Sequence, residues 1–126
     1  MSVVNSRCKA LCLWFFTACG GFHIASAAAE RVLYTHSFNV TISILCEEGE
    51  VTCERVEYIG RSLKTGDSIR LQGRTEHTLC ADGVSPCRFL GYRFTNGDFV
   101  YRVSETGMLQ VTQKQKLLLQ EQGTWQ

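Results

Sequence analysis

The sequence predicts an all-β protein: a small antiparallel β-barrel or sandwich of seven to eight strands with two disulfides. Three observations support this prediction. Apolar and polar residues alternate in short runs, turn-forming residues separate these runs, and the 126 residues include eleven glycines and one proline, which suits short strands joined by turns. No repeat, low-complexity stretch or internal linker is present, so a second domain is not expected.

The first predicted strand covers residues 32–46. Its apolar side chains share one parity, at Val32, Tyr34, Phe38, Val40, Ile42, Ile44 and Cys46. Thr, Ser and Asn occupy most of the other parity, which is typical of a strand with one face in water. Leu33 and Leu45 are the exceptions. Residues 47–50 then form a turn, and residues 51–59 are expected to return beside the first strand.

Further strands are expected in the second half of the chain. Residues 68–78 alternate, and two apolar runs flank Asn96 and Gly97. This dipeptide predicts a hairpin with both residues in the turn, because both tolerate positive φ. Residues 108–113 form another strand after a turn. Residues 113–122 are rich in Gln, Lys, Leu and Glu, so a short helix competes there with a last strand, and the preceding hairpins favour the strand.

The N-terminus is predicted to direct export. Residues 1–29 form a signal peptide, with Arg7 and Lys9 before an apolar run and small residues at the cleavage site, and residues 30–126 form a single β domain. The apolar run is far shorter than the roughly 20 residues of a membrane-spanning helix, so no transmembrane span is expected. These features predict a periplasmic or secreted protein.

A lipoprotein signal is the alternative. Residues 16–19 form an imperfect lipoprotein cleavage box that ends at Cys19. In that case the mature protein is lipid-anchored through Cys19, although ordinary cleavage is favoured because a leucine is more usual than Phe16.

Four cysteines remain in the predicted mature chain, in two pairs with six residues inside each: Cys46 and Cys53, then Cys80 and Cys87. Cysteines of exported proteins tend to oxidise. Of three possible connectivities we predict Cys46–Cys53 and Cys80–Cys87, because each pair flanks its own turn-rich segment. The gaps differ from the two-to-four-residue spacing of zinc ligands, so no metal is expected.

Charge and motifs argue against several functions. Without Arg7 and Lys9, the thirteen Lys and Arg fall to eleven against twelve Asp and Glu, which does not favour nucleic acid binding. The sequence contains no nucleophile elbow, metal-ligand helix or phosphate loop, so neither an enzyme nor a cofactor is expected. His36 and His77 are expected to be structural, with His36 on the apolar face of its strand.

Aromatic and arginine side chains near the second cysteine pair and the Asn96 turn suit a protein-binding surface. The candidate binding residues are Arg88, Tyr92, Arg93, Asn96, Tyr101 and Arg102. Strand alternation is at least as good an account of the aromatic residues, and it would place Tyr92, Phe94, Phe99 or Tyr101 in the core.

Three segments between residues 46 and 111 carry a resemblance. They are Cys46-Glu47-Glu48-Gly49 after a strand, residues 68–73 (SIRLQG) leading to Thr78-Leu79, and residues 91–97 (GYRFTNG). Their order is similar to that of the strands and turns in the periplasmic inhibitors of C-type lysozyme. The resemblance implies a small bacterial β-barrel, secreted or lipid-anchored, that binds lysozyme.

The chain departs from this family at the residues that contact lysozyme. In the family a Ser-Gly-x-x-Tyr loop and a Lys-Gly turn present a hydroxyl and an ammonium to the lysozyme carboxylates. Here Leu90 and Phe94 replace the serine and the tyrosine, and Thr106 replaces the lysine. No cysteine follows Cys87, whereas the family commonly has one near the C-terminus. The fold can therefore carry over without the inhibition.

The sequence thus predicts a small exported binding protein whose partner is a protein, either C-type lysozyme or another cell-wall enzyme. Weak or no inhibition of C-type lysozyme is expected. Arg93 and Arg102 are expected to face a partner's carboxylates in place of the missing hydroxyl and ammonium. Two alternatives stay open: a structural envelope-associated module without a discrete ligand, and a lipid-anchored immunity-type protein.

Overall fold

The computed structural model describes residues 29–126, and this part of the chain forms one antiparallel sheet of nine strands. The strands are β1 (Ala29–Tyr34), β2 (Phe38–Ile44), β3 (Val56–Ser62), β4 (Ser68–Leu79), β5 (Pro86–Asn96), β6 (Phe99–Ser104), β7 (Met108–Gln113), β8 (Lys116–Gln122) and β9 (Thr124–Trp125). Within the described residues there is no helix, and hence none that could cross a membrane. The expected all-β class is confirmed, with nine strands in place of seven to eight.

The sheet curls into a nearly closed barrel. Each strand pairs with the next from β1 to β8, and β9 pairs with β1. The seam between β8 and the β1–β2 connection is joined by Glu121, whose carboxylate accepts hydrogen bonds from the Ser37 N–H (3.0 Å) and hydroxyl (2.7 Å). Partial desolvation raises the pKa of Glu121, but the hydrogen bonds from Ser37 and Thr35, together with the nearby His36, outweigh this effect and lower the pKa.

The barrel interior is filled by side chains from most strands. The largest fully buried ones are Tyr58, Phe94, Leu33, Ile42, Leu109, Val40, Val56 and Val103. Each side chain of this kind stabilises the fold by about 1.5–3 kcal/mol relative to an exposed position. Tyr58 and Phe94 meet with their ring centroids 5.1 Å apart. At one end of the interior Trp125 donates its indole N–H to the Glu105 carbonyl (2.7 Å), which closes that end.

The single long strand predicted for residues 32–46 is wrong, because the chain reverses within it. Thr35 closes a tight turn: its N–H donates to the Phe38 carbonyl (2.9 Å), and its hydroxyl accepts from the Phe38 N–H (3.0 Å). Because of the reversal, buried side chains do not keep one parity through this segment. Leu33 is therefore fully buried opposite Val40, whereas Tyr34 is exposed. His36 lies exposed in this turn and not on an apolar face as expected.

The two late hairpins form, with a difference in the first turn. Asn96 pairs with Phe99, so only Gly97 and Asp98 lie between the strands. Gly97 alone has a positive φ (62°), which suits a type II′ turn with glycine first, and Asn96 belongs to the strand. The expected last strand is confirmed as β8. Its turn places Lys114 and Gln115 at positive φ (48° and 70°), as in a type I′ turn.

Both predicted disulfides are present. Cys46–Cys53 closes the β2–β3 connection, and Cys80–Cys87 closes the β4–β5 connection. Strands that alternate in direction place every second connection at the same end of a barrel. Both disulfide loops and the β6–β7 turn therefore lie at one end, and the remaining hairpin turns lie at the other.

Candidate functional site

Three arginines line up across neighbouring strands on the outer surface. Arg74 on β4 is paired with Arg93 on β5, and Arg93 is paired with Arg102 on β6. We call these three residues the arginine row. The Arg93 side chain points outward because its strand neighbours Tyr92 and Phe94 are buried. Arg74 and Arg102 lie directly opposite Arg93 and therefore share its face. Like charges directly opposite each other destabilise a sheet, so the row is not there to strengthen the fold.

Glu76 neutralises only part of this charge. One carboxylate oxygen lies 3.8 Å from Arg93 Nη1, and the other lies 3.4 Å from Arg102 Nε. These groups are a quarter to two fifths exposed, and ion pairs of this kind contribute at most about 1 kcal/mol. A guanidinium has five N–H donors in a planar fork. The row therefore keeps donors that can bind another carboxylate.

Two shallow depressions flank the arginine row. Arg74 and Arg93 line one of about 250 Å³, together with Glu54. Arg102 and Glu76 line the other, of about 340 Å³, together with the exposed Leu90. The second depression places the Arg102 guanidinium beside apolar surface. Arginine is among the residues enriched at energetically important protein contacts.

A local irregularity in β4 and β5 shapes the second depression. The register shifts between Glu76 and His77, opposite Gly91. Gly91 has φ of 145°, and a Cβ there would collide with the Val103 carbonyl, so only glycine fits. Bulges of this kind bend a strand and change the direction of its side chains.

Beyond the irregularity β4 and β5 continue as an exposed hairpin, residues 77–89, which we call the arm. Its connection is closed by Cys80–Cys87 and ordered by Asp82, whose carboxylate accepts from the N–H groups of Val84 (2.9 Å) and Ser85 (2.8 Å). Hydrogen bonds from the Ser85 side chain and from these backbone groups lower the pKa of Asp82 to about 2. The exposed loop is thus held in one conformation by covalent and polar contacts.

The predicted binding residues separate in the structure. Arg93 and Arg102 come together, and Arg88 lies on the arm. Tyr92 is 2% exposed and its hydroxyl accepts a hydrogen bond from Arg31 (3.2 Å), so it is not available to a partner. Tyr101 is half-buried in the barrel interior. Asn96 lies at the barrel end opposite the disulfide loops, because the β5–β6 turn is there.

Arg74 and Glu76 were not among the predicted binding residues. Both lie on the polar parity of the strand predicted at residues 68–78, and that was the one available signal. Their approach to Arg93 and Arg102 depends on the β4–β5 register. Among residues 29–126, no three His, Cys, Asp or Glu side chains converge as a metal site.

The two positions singled out by the lysozyme-inhibitor resemblance come close together. The Glu105 N–H donates to the Leu90 carbonyl (2.9 Å), which brings the β6–β7 turn that contains Thr106 beside Leu90. The only hydroxyls beside Leu90 in this turn belong to Ser104 and Thr106, whose side-chain oxygens are 3.0 Å apart. An exposed leucine and a threonine thus occupy the positions of the family's serine and lysine.

The fold and site together define a class: a small disulfide-bonded antiparallel barrel with a cationic row on its outer surface. No protein-family model, no curated protein and no solved structure matches the chain.

Proposed function

We propose that this is an exported binding protein that blocks a cell-wall-directed enzyme, without catalysis of its own, by holding carboxylates of that partner on the arginine row. The observation that carries the proposal is the direct cross-strand alignment of Arg74, Arg93 and Arg102, with Glu76 as the one acid in ion-pair distance among the described residues.

The spacing of the row suits a pair of carboxylates. Directly opposed residues of an antiparallel pair have Cβ atoms about 4.5–5.5 Å apart, and an arginine side chain extends several ångströms beyond. The two catalytic carboxyl groups of glycoside hydrolases are about 5–9.5 Å apart. Arg93 and Arg102 can therefore each bind one carboxylate of such a pair, in the bidentate geometry that a guanidinium favours.

C-type lysozyme is not the expected target. Leu90 and Thr106 supply neither the serine hydroxyl nor the lysine ammonium of the inhibitor family. The exposed Leu90 beside Arg102 favours instead a partner with an apolar contact next to its carboxylates. Another wall-directed hydrolase is thus the better candidate.

The proposal includes export, with the mature protein starting near Glu30. The two disulfides suit an oxidising compartment, periplasmic or extracellular. The predicted signal peptide lies outside the described residues apart from Ala29, the first residue of β1. The intact mass of the exported protein checks this point, since a diacylated Cys19 replaces free export with a lipid anchor.

The function is tested by residual hydrolase activity. Mature protein with both disulfides is titrated against purified cell-wall hydrolases, C-type lysozyme among them. We expect inhibition of at least one hydrolase and weak or no inhibition of C-type lysozyme. The double variant Arg93→Ala/Arg102→Ala should inhibit at least tenfold less well, since truncating one partner of a charge-assisted contact costs about 2 kcal/mol or more.

The matched control removes two charges elsewhere. Arg61 and Lys64 are both exposed near the β3–β4 connection, at the opposite end from the arm. Arg61→Ala/Lys64→Ala should inhibit like the wild type. Inhibition of no hydrolase at all would contradict the proposal and favour a structural envelope module. Strong inhibition of C-type lysozyme would correct the expected target.

A further inference from the structure

The barrel interior contains an apolar pocket at the end opposite the disulfide loops. Its volume is about 240 Å³, and its main lining residues are Phe38, Tyr58, Gly60, Ile69, Tyr101 and Leu119. Phe38 and Ile69 stand near the first residues of β2 and β4, where those strands leave the β1–β2 and β3–β4 turns. They are only partly buried, so they form the mouth, whereas Tyr58 lies at the floor.

The pocket is large enough for a small organic molecule. An engineered protein cavity of about 150 Å³ with apolar walls binds benzene, whereas drug-sized ligands occupy pockets of about 300–1,000 Å³. A volume of about 240 Å³ lies between these limits. One substituted aromatic ring fits, and a long acyl chain does not.

Tyr58 adds one polar group to these apolar walls. The side chain is 2% exposed, and its ring covers Gly60, where a Cβ would lie 2.6 Å from the tyrosine hydroxyl oxygen. This hydroxyl forms no hydrogen bond with residues 29–126. Among residues 29–126, every fully inaccessible side-chain N or O atom has a hydrogen-bond partner. The Tyr58 hydroxyl oxygen, which has none there, is therefore partly accessible. Because Tyr58 and Gly60 both line the pocket, this hydroxyl is reached from the pocket.

The protonation of Tyr58 fits this arrangement. Burial is the main cause that raises its pKa above the ordinary value, so the hydroxyl stays neutral and can donate or accept one hydrogen bond. Buried tyrosine hydroxyls usually have a partner. An anionic or cationic ligand finds no opposite charge among the main lining residues, which are apolar or aromatic.

We propose that this pocket binds a small neutral aromatic molecule with one hydrogen-bonding group, with the ring between Phe38, Tyr101 and Leu119 and the polar group on the Tyr58 hydroxyl. This site is separate from the arginine row, which lies on the outer surface.

The experiment uses p-cresol and toluene as probes and follows the mature protein by ¹⁵N–¹H spectra. We expect saturable one-to-one binding of both probes, with p-cresol tighter. Tyr58→Phe should weaken p-cresol binding about three- to tenfold, the worth of one neutral hydrogen bond, and should leave toluene binding within about twofold. Tyr34→Phe makes the same change at an exposed tyrosine and should have no effect on either probe.

A second variant blocks the mouth. Ile69→Trp should abolish binding of both probes, and Leu119→Trp repeats this test if the first variant fails to fold. The proposal is overturned if neither probe binds saturably to the wild type, if Tyr58→Phe binds p-cresol as Tyr34→Phe does, or if a folded tryptophan variant still binds both probes. Arg93→Ala/Arg102→Ala should bind p-cresol like the wild type, so a failure here is distinguishable from a failure of the arginine row.

Discussion

The two disulfide loops have the same spacing in the sequence and different surroundings in the barrel. Cys53 is 4% exposed and belongs to the hydrophobic core, and Cys46 packs against that core, whereas Cys80 and Cys87 do not contribute to it. The residues between the two cysteines are exposed in both loops. The backbone of Cys53 is bound to β4, where the Thr75 N–H donates to the Cys53 carbonyl (2.9 Å). The hydrogen bonds around Cys80 stay within the arm, as from the Cys80 N–H to the Ser85 carbonyl (2.8 Å).

This difference shows that a cysteine spacing predicts a bridge but not its role. The first bridge is part of the folded core, so its removal also removes apolar packing. The second bridge closes a hairpin whose connecting residues 81–86 are exposed, which leaves this surface available to a partner. The arginine row begins at the root of this second loop, on the same strands.

The largest expected effect follows from removal of the core bridge. Cys46→Ala/Cys53→Ala should lower the free energy of unfolding by about 3 kcal/mol, because an eight-residue closed loop contributes roughly 2–3 kcal/mol and core packing is also lost. Chemical denaturation under otherwise identical conditions measures this difference. A loss below about 1 kcal/mol would contradict the core role of the first loop.

Removal of the arm bridge should have a smaller effect. In Cys80→Ala/Cys87→Ala the arm can become mobile while the barrel stays folded. The folded state then gains conformational entropy as the unfolded state does, so the free energy of unfolding changes little. We expect a loss of less than about 1 kcal/mol in the same denaturation experiment, with faster hydrogen exchange limited to the arm. Equal losses in the two double variants would remove the distinction between the loops.

Two threonines give a finer comparison, because each accepts a backbone hydrogen bond beside a bridge. Thr75 Oγ1 accepts from the Cys53 N–H (3.0 Å), and Thr78 Oγ1 accepts from the Arg88 N–H (2.9 Å). Thr75→Val should cost about 1 kcal/mol, because it leaves a buried donor without a partner. Thr78→Val should cost less than about 0.5 kcal/mol, since water reaches the arm. Melting curves of the two variants, recorded side by side, decide this.

The smallest effect is a local pH dependence of the arm. The pKa of Asp82 is about 2, below the ordinary value near 4. The stabilisation of the arm by the ionised Asp82 is therefore complete above the ordinary value and is lost as the pH falls through about 2. The protection of the Val84 and Ser85 amides, taken relative to the intrinsic exchange rate at each pH, should fall over this pH window. Asp82→Asn should show no such transition, and a titration of Asp82 at its ordinary value would contradict the ordered loop.

Much of the fold follows from local sequence features. Alternation predicted β4 to β7 close to their observed limits, and turn-rich segments between cysteines predicted both bridges. The reversal at Thr35 was missed because the alternation resumes on the same parity beyond it, although Leu33 and the polar His36 both break the pattern beside the turn. Lys114 and Gln115 adopt positive φ without glycine, since strand pairing on both sides imposes the turn.

The site was predictable in part. Parity placed Arg93 and Arg102 on the face opposite Tyr92 and Phe94, and the structure brings the two arginines together. The position of Arg74 opposite Arg93 depends on the β4–β5 register. This register is set by pairing between strands and by the irregularity near Glu76. Local patterns do not contain that information.

The proposed binding of a partner on the arginine row beside the arm is the central point. It is tested most directly by capture from the exported protein fraction of the source organism on three immobilised proteins. These are the mature wild type, Arg93→Ala/Arg102→Ala, and the charge-matched Arg61→Ala/Lys64→Ala. We predict that at least one protein is retained by the wild type and by the control and is lost from the row variant. Equal retention on all three proteins, or no retention on the wild type, would contradict the claim.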